Sequence, residues 1–157
     1  MSDFIEEIGK VFDRDIQKTI DEVTMYEREE DIWILPSGIN NSAGTLALHL
    51  AGNLQHFIGS VLGNSGYERN RPEEFGARNV SKAVILSELS KAKEVVNKTL
   101  SNLEPDMAKG NFPIPFIKET VSNYFLLVHL ASHLNYHLGQ INYHRRLLTS
   151  QVNGNQK

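Results

Sequence analysis

At 157 residues the chain has the length of one ordinary domain, enough to bury its own core without covalent staples. It contains no cysteine, which excludes disulfides, thiolate metal ligands, iron–sulfur clusters and cysteine nucleophiles, leaving histidine and carboxylates to hold any metal. Its net charge of −3 argues against nucleic acid as a main ligand, because phosphate binding needs a basic surface.

The chain opens with MSDFIEEIGK, acidic and amphipathic, with no basic start followed by a long apolar run. That is unlike a secretory signal, and no run of about 18 apolar residues occurs to span a membrane. The cytoplasm is the expected compartment. Residues 3–28 read as a first helix, with Phe4, Ile8, Phe12, Ile16 and Ile20 at every fourth position. Ile5, Val11 and Val23 widen that stripe, and Ser2 is placed to cap it. DIWILPSGINN then breaks the helix at Pro36 and Gly38, and the lone Trp33 in this loop reads as packing.

Residues 42–63 read as a second helix, carrying Leu46, Leu50, Leu54, Phe57 and Val61 on one side. Gly52, Gly59 and Gly63 interrupt it, and close approach of a neighbour is the natural reason for glycine there. NSGYERNRPEEFGARN reads as a polar connection. Residues 81–103 form the most regular pattern: Ile85, Leu89, Ala92, Val96, Thr99 and Leu103 alternate spacings of four and three, as a bundle seam does. EPDMAKGNFPIP turns the chain, residues 120–148 read as a fourth helix, and the polar residues 151–157 read as a disordered tail. Arg145 and Arg146 are expected on a solvated helix end.

The expectation is all-α: one four-helix bundle over residues 1–150. The two connections before the third helix are longer than hairpins require, which permits crossover topology.

The fourth helix contains HLASHLNYHLGQINYH, with four of the chain's six histidines. His129, His133 and His137 are four apart and share a face. Random placement gives about 0.2 such pairs, and two occur. At 100° per residue these histidines border the stripe of Leu126, Leu130, Leu134 and Ile141. On the second helix His49 and His56 take the same position beside Leu46, Leu50 and Phe57. A single histidine on an apolar face is ordinarily a hydrogen-bonded core residue. Several imidazoles buried together are harder to satisfy, and a metal satisfies one nitrogen on each. Two histidines at i and i+4 present adjacent nitrogens to one ion, and a third ligand must come from another helix. His49 is the candidate, since His56 lies seven residues farther along. Three neutral nitrogens describe an open site able to take water, a thiol or a substrate atom. Asn53, His129 and Gln140 lie one turn or less from these residues as candidates to orient a ligand or substrate, and His56 and His144 read as structural. No carboxylate is placed near the histidines by pattern, so no general base and no catalytic residue is assigned.

HLASHLNYHLGQI resembles the signature of the DinB-like superfamily, also called YfiT-like metal-dependent hydrolases, whose last helix carries His-x-x-x-His, then Arg-Gly-Gln and an aliphatic residue. His133, His137, Gly139, Gln140 and Ile141 match, and Leu138 stands where the arginine is usual. SAGTLALHLAGNLQHFIGSVLGN resembles the second helix of that family, with His49 in the place of the third ligand. The resemblance covers essentially the whole chain. It implies a bundle with 1-4-2-3 neighbour order, a three-histidine site for a divalent metal (zinc or nickel), and frequent homodimers.

Relatives of that kind transfer or isomerise with low-molecular-weight thiols, so the function expected is metal-dependent transfer of a small thiol to an electrophile. The alternatives are a metal-dependent hydrolase and a non-catalytic, stress-associated bundle whose metal joins the second and fourth helices. No nucleic-acid or membrane partner is expected.

Overall fold

The computed structural model describes residues 3–154, and among these it is all-helical, with no strand beyond two isolated antiparallel bridges. Helix α1 spans Asp3–Thr24. Its buried face is Ile5, Phe12, Ile16, Thr19 and Val23, while Phe4, Ile8 and Ile20 are only partly covered. A strict every-fourth row drifts around a helix of 3.6 residues per turn, so the core follows a mixed spacing instead. The proposed cap, Ser2, lies outside the described residues. The helix also stops short of residue 28, and a 3-10 helix, Glu29–Trp33, buries Ile32 and Trp33.

Helix α2 spans Ala43–Leu54, capped by Ser42, whose hydroxyl accepts from the Thr45 amide at 3.2 Å. A uniform α-helix was expected through residue 63. The chain instead continues as a π-helical segment, Gln55–Leu62, closed by the Gly63 amide donating to Ile58 O, five residues back, at 3.0 Å. This segment presses on α4, which spans Lys82–Ser101. A Cβ on Gly59 would meet Val95 at 3.0 Å, and one on Gly63 would overlap the Thr99 hydroxyl. Both glycines thus have the packing reason their positions implied.

The connection read as merely polar holds a short helix, α3, Arg71–Gly76, which packs on α2. On α4 the buried positions Ile85, Leu89, Ala92, Val96 and Thr99 coincide with the sequence stripe. After α5, Pro105–Lys109, the chain makes a hairpin turn at Phe116–Glu119. Helix α6 spans Asn123–Gly154. It begins three residues later than expected and runs past Leu148 into the segment read as a tail, so residues 151–154 are helical. Residues 155–157 lie outside the described ones.

Helix α1 packs against α4 and α6, and α2 packs against the same two. Polar pairs fasten α1 to α6: Asp15 accepts from Asn135 at 3.1 Å, and Glu22 accepts from Asn142 and Arg145 at 2.7 Å each. Arg145 is therefore not a solvated helix end, because its ionic partner projects from the neighbouring helix. No described helix is long and apolar enough to cross a membrane.

Candidate metal centre

The facing sides of α2 and α6 run antiparallel. Leu46 shares a cleft with Gln140, Tyr143 and Leu147, His49 meets His133 and His137, and Phe57 reaches Phe116, which packs on His129. The numbering rises along one helix as it falls along the other. The Nε2 atoms of His49 and His133 lie 3.2 Å apart, and those of His133 and His137 lie 3.1 Å apart. His49, His133 and His137 form a group with one ligand atom each within 4.8 Å of the others. The structure brings together the three histidines chosen as ligands.

The outer nitrogens decide which way the inner ones face. His49 Nδ1 lies 3.1 Å from Glu74 Oε2, and both side chains are buried. The Arg69 guanidinium approaches the same Nδ1 at 3.4 Å, but the contact with Glu74 is the shorter and an ionised carboxylate can only accept, which favours the His49 proton on Nδ1 and the Nε2 lone pair turned inward. Arg69 grips the same carboxylate with two hydrogen bonds of 2.7 and 2.8 Å. Burial alone would raise the Glu74 carboxyl, but the bonds from Arg69 and His49 outweigh it and hold it below the usual carboxylate range. His137 Nδ1 donates to Gln140 Oε1 at 2.6 Å, which turns its Nε2 lone pair inward too.

Two lone pairs thus converge on His133 Nε2, where one proton could serve only one of them. The arrangement suits a cation. Ring nitrogens about 2.0–2.1 Å from a tetrahedral ion sit about 3.3–3.4 Å from one another, within a few tenths of the two separations from His133 Nε2. Electrostatics points the same way. Burial pushes the His133 imidazole down to about 4, with His137, His49, His129 and Arg69 also opposing its charge. Burial lowers His137 as well, against the raising effect of its bond to Gln140. Both are neutral near pH 7, as ligands must be.

Glu74 and Arg69 are the residues beside the histidine group that sequence pattern missed. Asn70, Pro72 and two glutamates in NRPEE are a helix-start signature, so α3 itself was detectable. That its Glu74 turns toward α2 was not. Gly52 makes the approach possible: a Cβ there would overlap the carboxylate, 2.7 Å from Glu74 Cδ.

The remaining candidates divide. Gln140 bonds His137, as described. Asn53 is buried one turn beyond His49, and its Oδ1 has no hydrogen-bond partner. His129 does not join the three; its ring stacks parallel to His133 at 6.3 Å and abuts Phe116. His144 is structural, bridging the Tyr26 hydroxyl at 2.6 Å and Ile34 O at 2.8 Å. His56 packs on Phe57 outside the group. Trp33 donates to Val80 O at 3.0 Å and lies over Gly44, a packing role. Gly139 faces open space, so it has no packing reason of the kind Gly59 and Gly63 have.

A family model described as "Protein of unknown function (DUF1572)" matches residues 1–153. The chain belongs to this family. No match is found among curated proteins. For this DUF1572 chain the histidine group is therefore the most direct physical guide to function.

Proposed function

We propose that the protein holds a divalent metal, zinc or nickel, on His49, His133 and His137, and uses it to transfer a small thiol to an electrophile. The observation that carries this reading is the convergence of two inward lone pairs, locked by Glu74 and Gln140, on a third imidazole that burial keeps neutral. A divalent ion held there would lower the pKa of a bound thiol or water and so supply a nucleophile at neutral pH. Among the described residues the group has three members, which leaves a position for an exogenous ligand.

Glu74 bonds His49 on its outer nitrogen, away from the convergence point, and is committed to Arg69. It orients a ligand rather than taking a proton from a bound nucleophile, which favours thiol transfer over hydrolysis, since a coordinated thiol needs a protein base less than water does. The cleft lined by Pro36, Ile39, Leu46, Gln140 and Tyr143 adjoins the group at Gln140, the residue that bonds His137, and offers space for an electrophile beside it.

The pairings of α1 with α4 and α6, and of α2 with the same two, support a four-helix bundle in the neighbour order first, fourth, second, third. That order and the histidine set are the points of likeness to DinB-like proteins.

Titrating the cobalt-loaded protein with bacillithiol, glutathione and simpler thiols tests the reading. A sulfur-to-cobalt charge-transfer band is expected with at least one. If no thiol perturbs the spectrum, thiol transfer is wrong and the metal is hydrolytic or structural.

A further inference from the structure

With a metal on all three Nε2 atoms, each ligand carries its proton on Nδ1 and each Nδ1–H seeks an acceptor. His49 has Glu74 and His137 has Gln140. His133 has none: its Nδ1 is buried without a partner. Asn53 Oδ1, an acceptor, is likewise buried without a partner, on a residue 7% exposed. Buried unpartnered polar atoms are costly, so two of opposite type on facing helices call for a common explanation.

Register brings them to neighbouring levels of the helix pair, though they are not hydrogen-bonded to each other in this structure. Asn53 lies four residues beyond His49, about 6 Å along α2. The helices run antiparallel, with His49 at the level of His133 and His137, and Phe57 joined through Phe116 to His129. Asn53 therefore stands between those levels, on the side of His133 toward His129.

We propose that Asn53 is the third positioning residue of the centre: in the metal-loaded protein its Oδ1 accepts from His133 Nδ1–H, with or without one bridging water. The inference rests on the three-histidine reading. It gives the buried amide oxygen of α2 a partner and a reason to stand in an apolar interior. It also gives the centre three different acceptors: a carboxylate on α3, an amide one turn along α6, and an amide on α2. The His133 bond alone ties one metal-bearing helix to the other through a ligand.

The test uses the full chain with zinc alone. Asn53→Leu removes the acceptor at similar volume, and its zinc affinity, measured by competition with a chromogenic chelator, is expected to fall about 10- to 100-fold. The metal-free Asn53→Leu protein is expected to unfold at the wild-type temperature or above, because the lost oxygen had no partner; a purely structural asparagine would lower it. In zinc-loaded wild type the His133 Nδ1–H proton should be visible by nitrogen-edited NMR and protected from exchange, and that protection should disappear in Asn53→Leu. Asn53→Asp, which keeps an acceptor, should bind zinc at least as tightly as wild type and decides the matter if the leucine variant does not fold. Asn53→Leu binding zinc within about twofold of wild type, or Asn53→Asp weaker by tenfold or more, overturns the inference while the three-histidine centre stands. Absence of zinc binding by wild type, or zinc binding that His49→Ala leaves unaltered, overturns both.

Discussion

The α1/α4 side of the molecule and the α2/α6 side are built from the same kind of helix under different rules. Helix α4 buries Ile85, Leu89, Ala92 and Val96, and α1 contributes Ile5, Phe12 and Ile16; the polar pairs there, Asn97 with Asp13 and Lys93 with Gln17, lie at its margins. Between α2 and α6 the buried set includes His49 and Asn53, and two buried side-chain atoms, Asn53 Oδ1 and His133 Nδ1, have no partner. The first side is filled to hold the fold. The second carries polar groups whose bonding is incomplete in the chain alone, the pattern expected where a ligand completes it.

The largest expected effect belongs to the filled side. Phe12 is fully buried, so Phe12→Ala should destabilise by about 3–5 kcal/mol in denaturant unfolding, by a similar amount with and without zinc. His133→Ala should do the reverse: zinc binding falls by at least about 100-fold, since two imidazoles rarely hold the ion, while the metal-free melting temperature stays level or rises. A metal-free loss as large as that of Phe12→Ala would show that both sides obey the same rule.

Gly52→Ala tests the contact from α3. The added Cβ displaces Glu74, frees His49 Nδ1 and should weaken zinc about 10- to 100-fold by chelator competition. Unchanged affinity would mean that His49 needs no carboxylate.

Acid should act through the histidine side. Burial depresses His133 to about 4 in the folded, metal-free chain, against about 6.5 unfolded. As pH falls below about 6.5 the unfolded chain takes up the proton first, so this stability is complete above that value and is lost as pH falls through about 4. Metal-free unfolding midpoints measured across that window should decline in wild type and decline less in His133→Ala. Equal slopes would remove His133 from the acid response. The smallest effect is a control: Gly139→Ala, on an exposed face with nothing near its missing Cβ, should stabilise by about 0.5–1 kcal/mol and leave zinc affinity unchanged.

Much of this was legible in one dimension because helices repeat. The stripe from Ile85 to Thr99 names the buried face of α4 without reference to any neighbour, and His133 and His137 at i and i+4 share a face of α6 wherever that helix packs. The absence of cysteine confined any metal to histidine and carboxylate. Even His49 emerged, since it borders the apolar face of α2 as His133 does that of α6. On α1 the same reasoning favoured Phe4, Ile8 and Ile20, which are only partly covered, because amphipathicity marks a broad face and a neighbour chooses its centre.

What the tertiary structure alone decided lies where segments distant in sequence meet at their side-chain tips. Glu74 is 25 residues from His49, on a six-residue helix whose direction no periodicity encodes, and it reaches the imidazole only because α3 lies against the bare backbone at Gly52. Arg145 found Glu22, 123 residues away, by the same kind of crossing. A local pattern states which face of an element is apolar; it carries no term for the angle or depth at which another element arrives. The long helices and the choice of the three histidines therefore belong to the sequence, and the bonds that turn those histidines inward belong to the packing of α3 and α6 around α2.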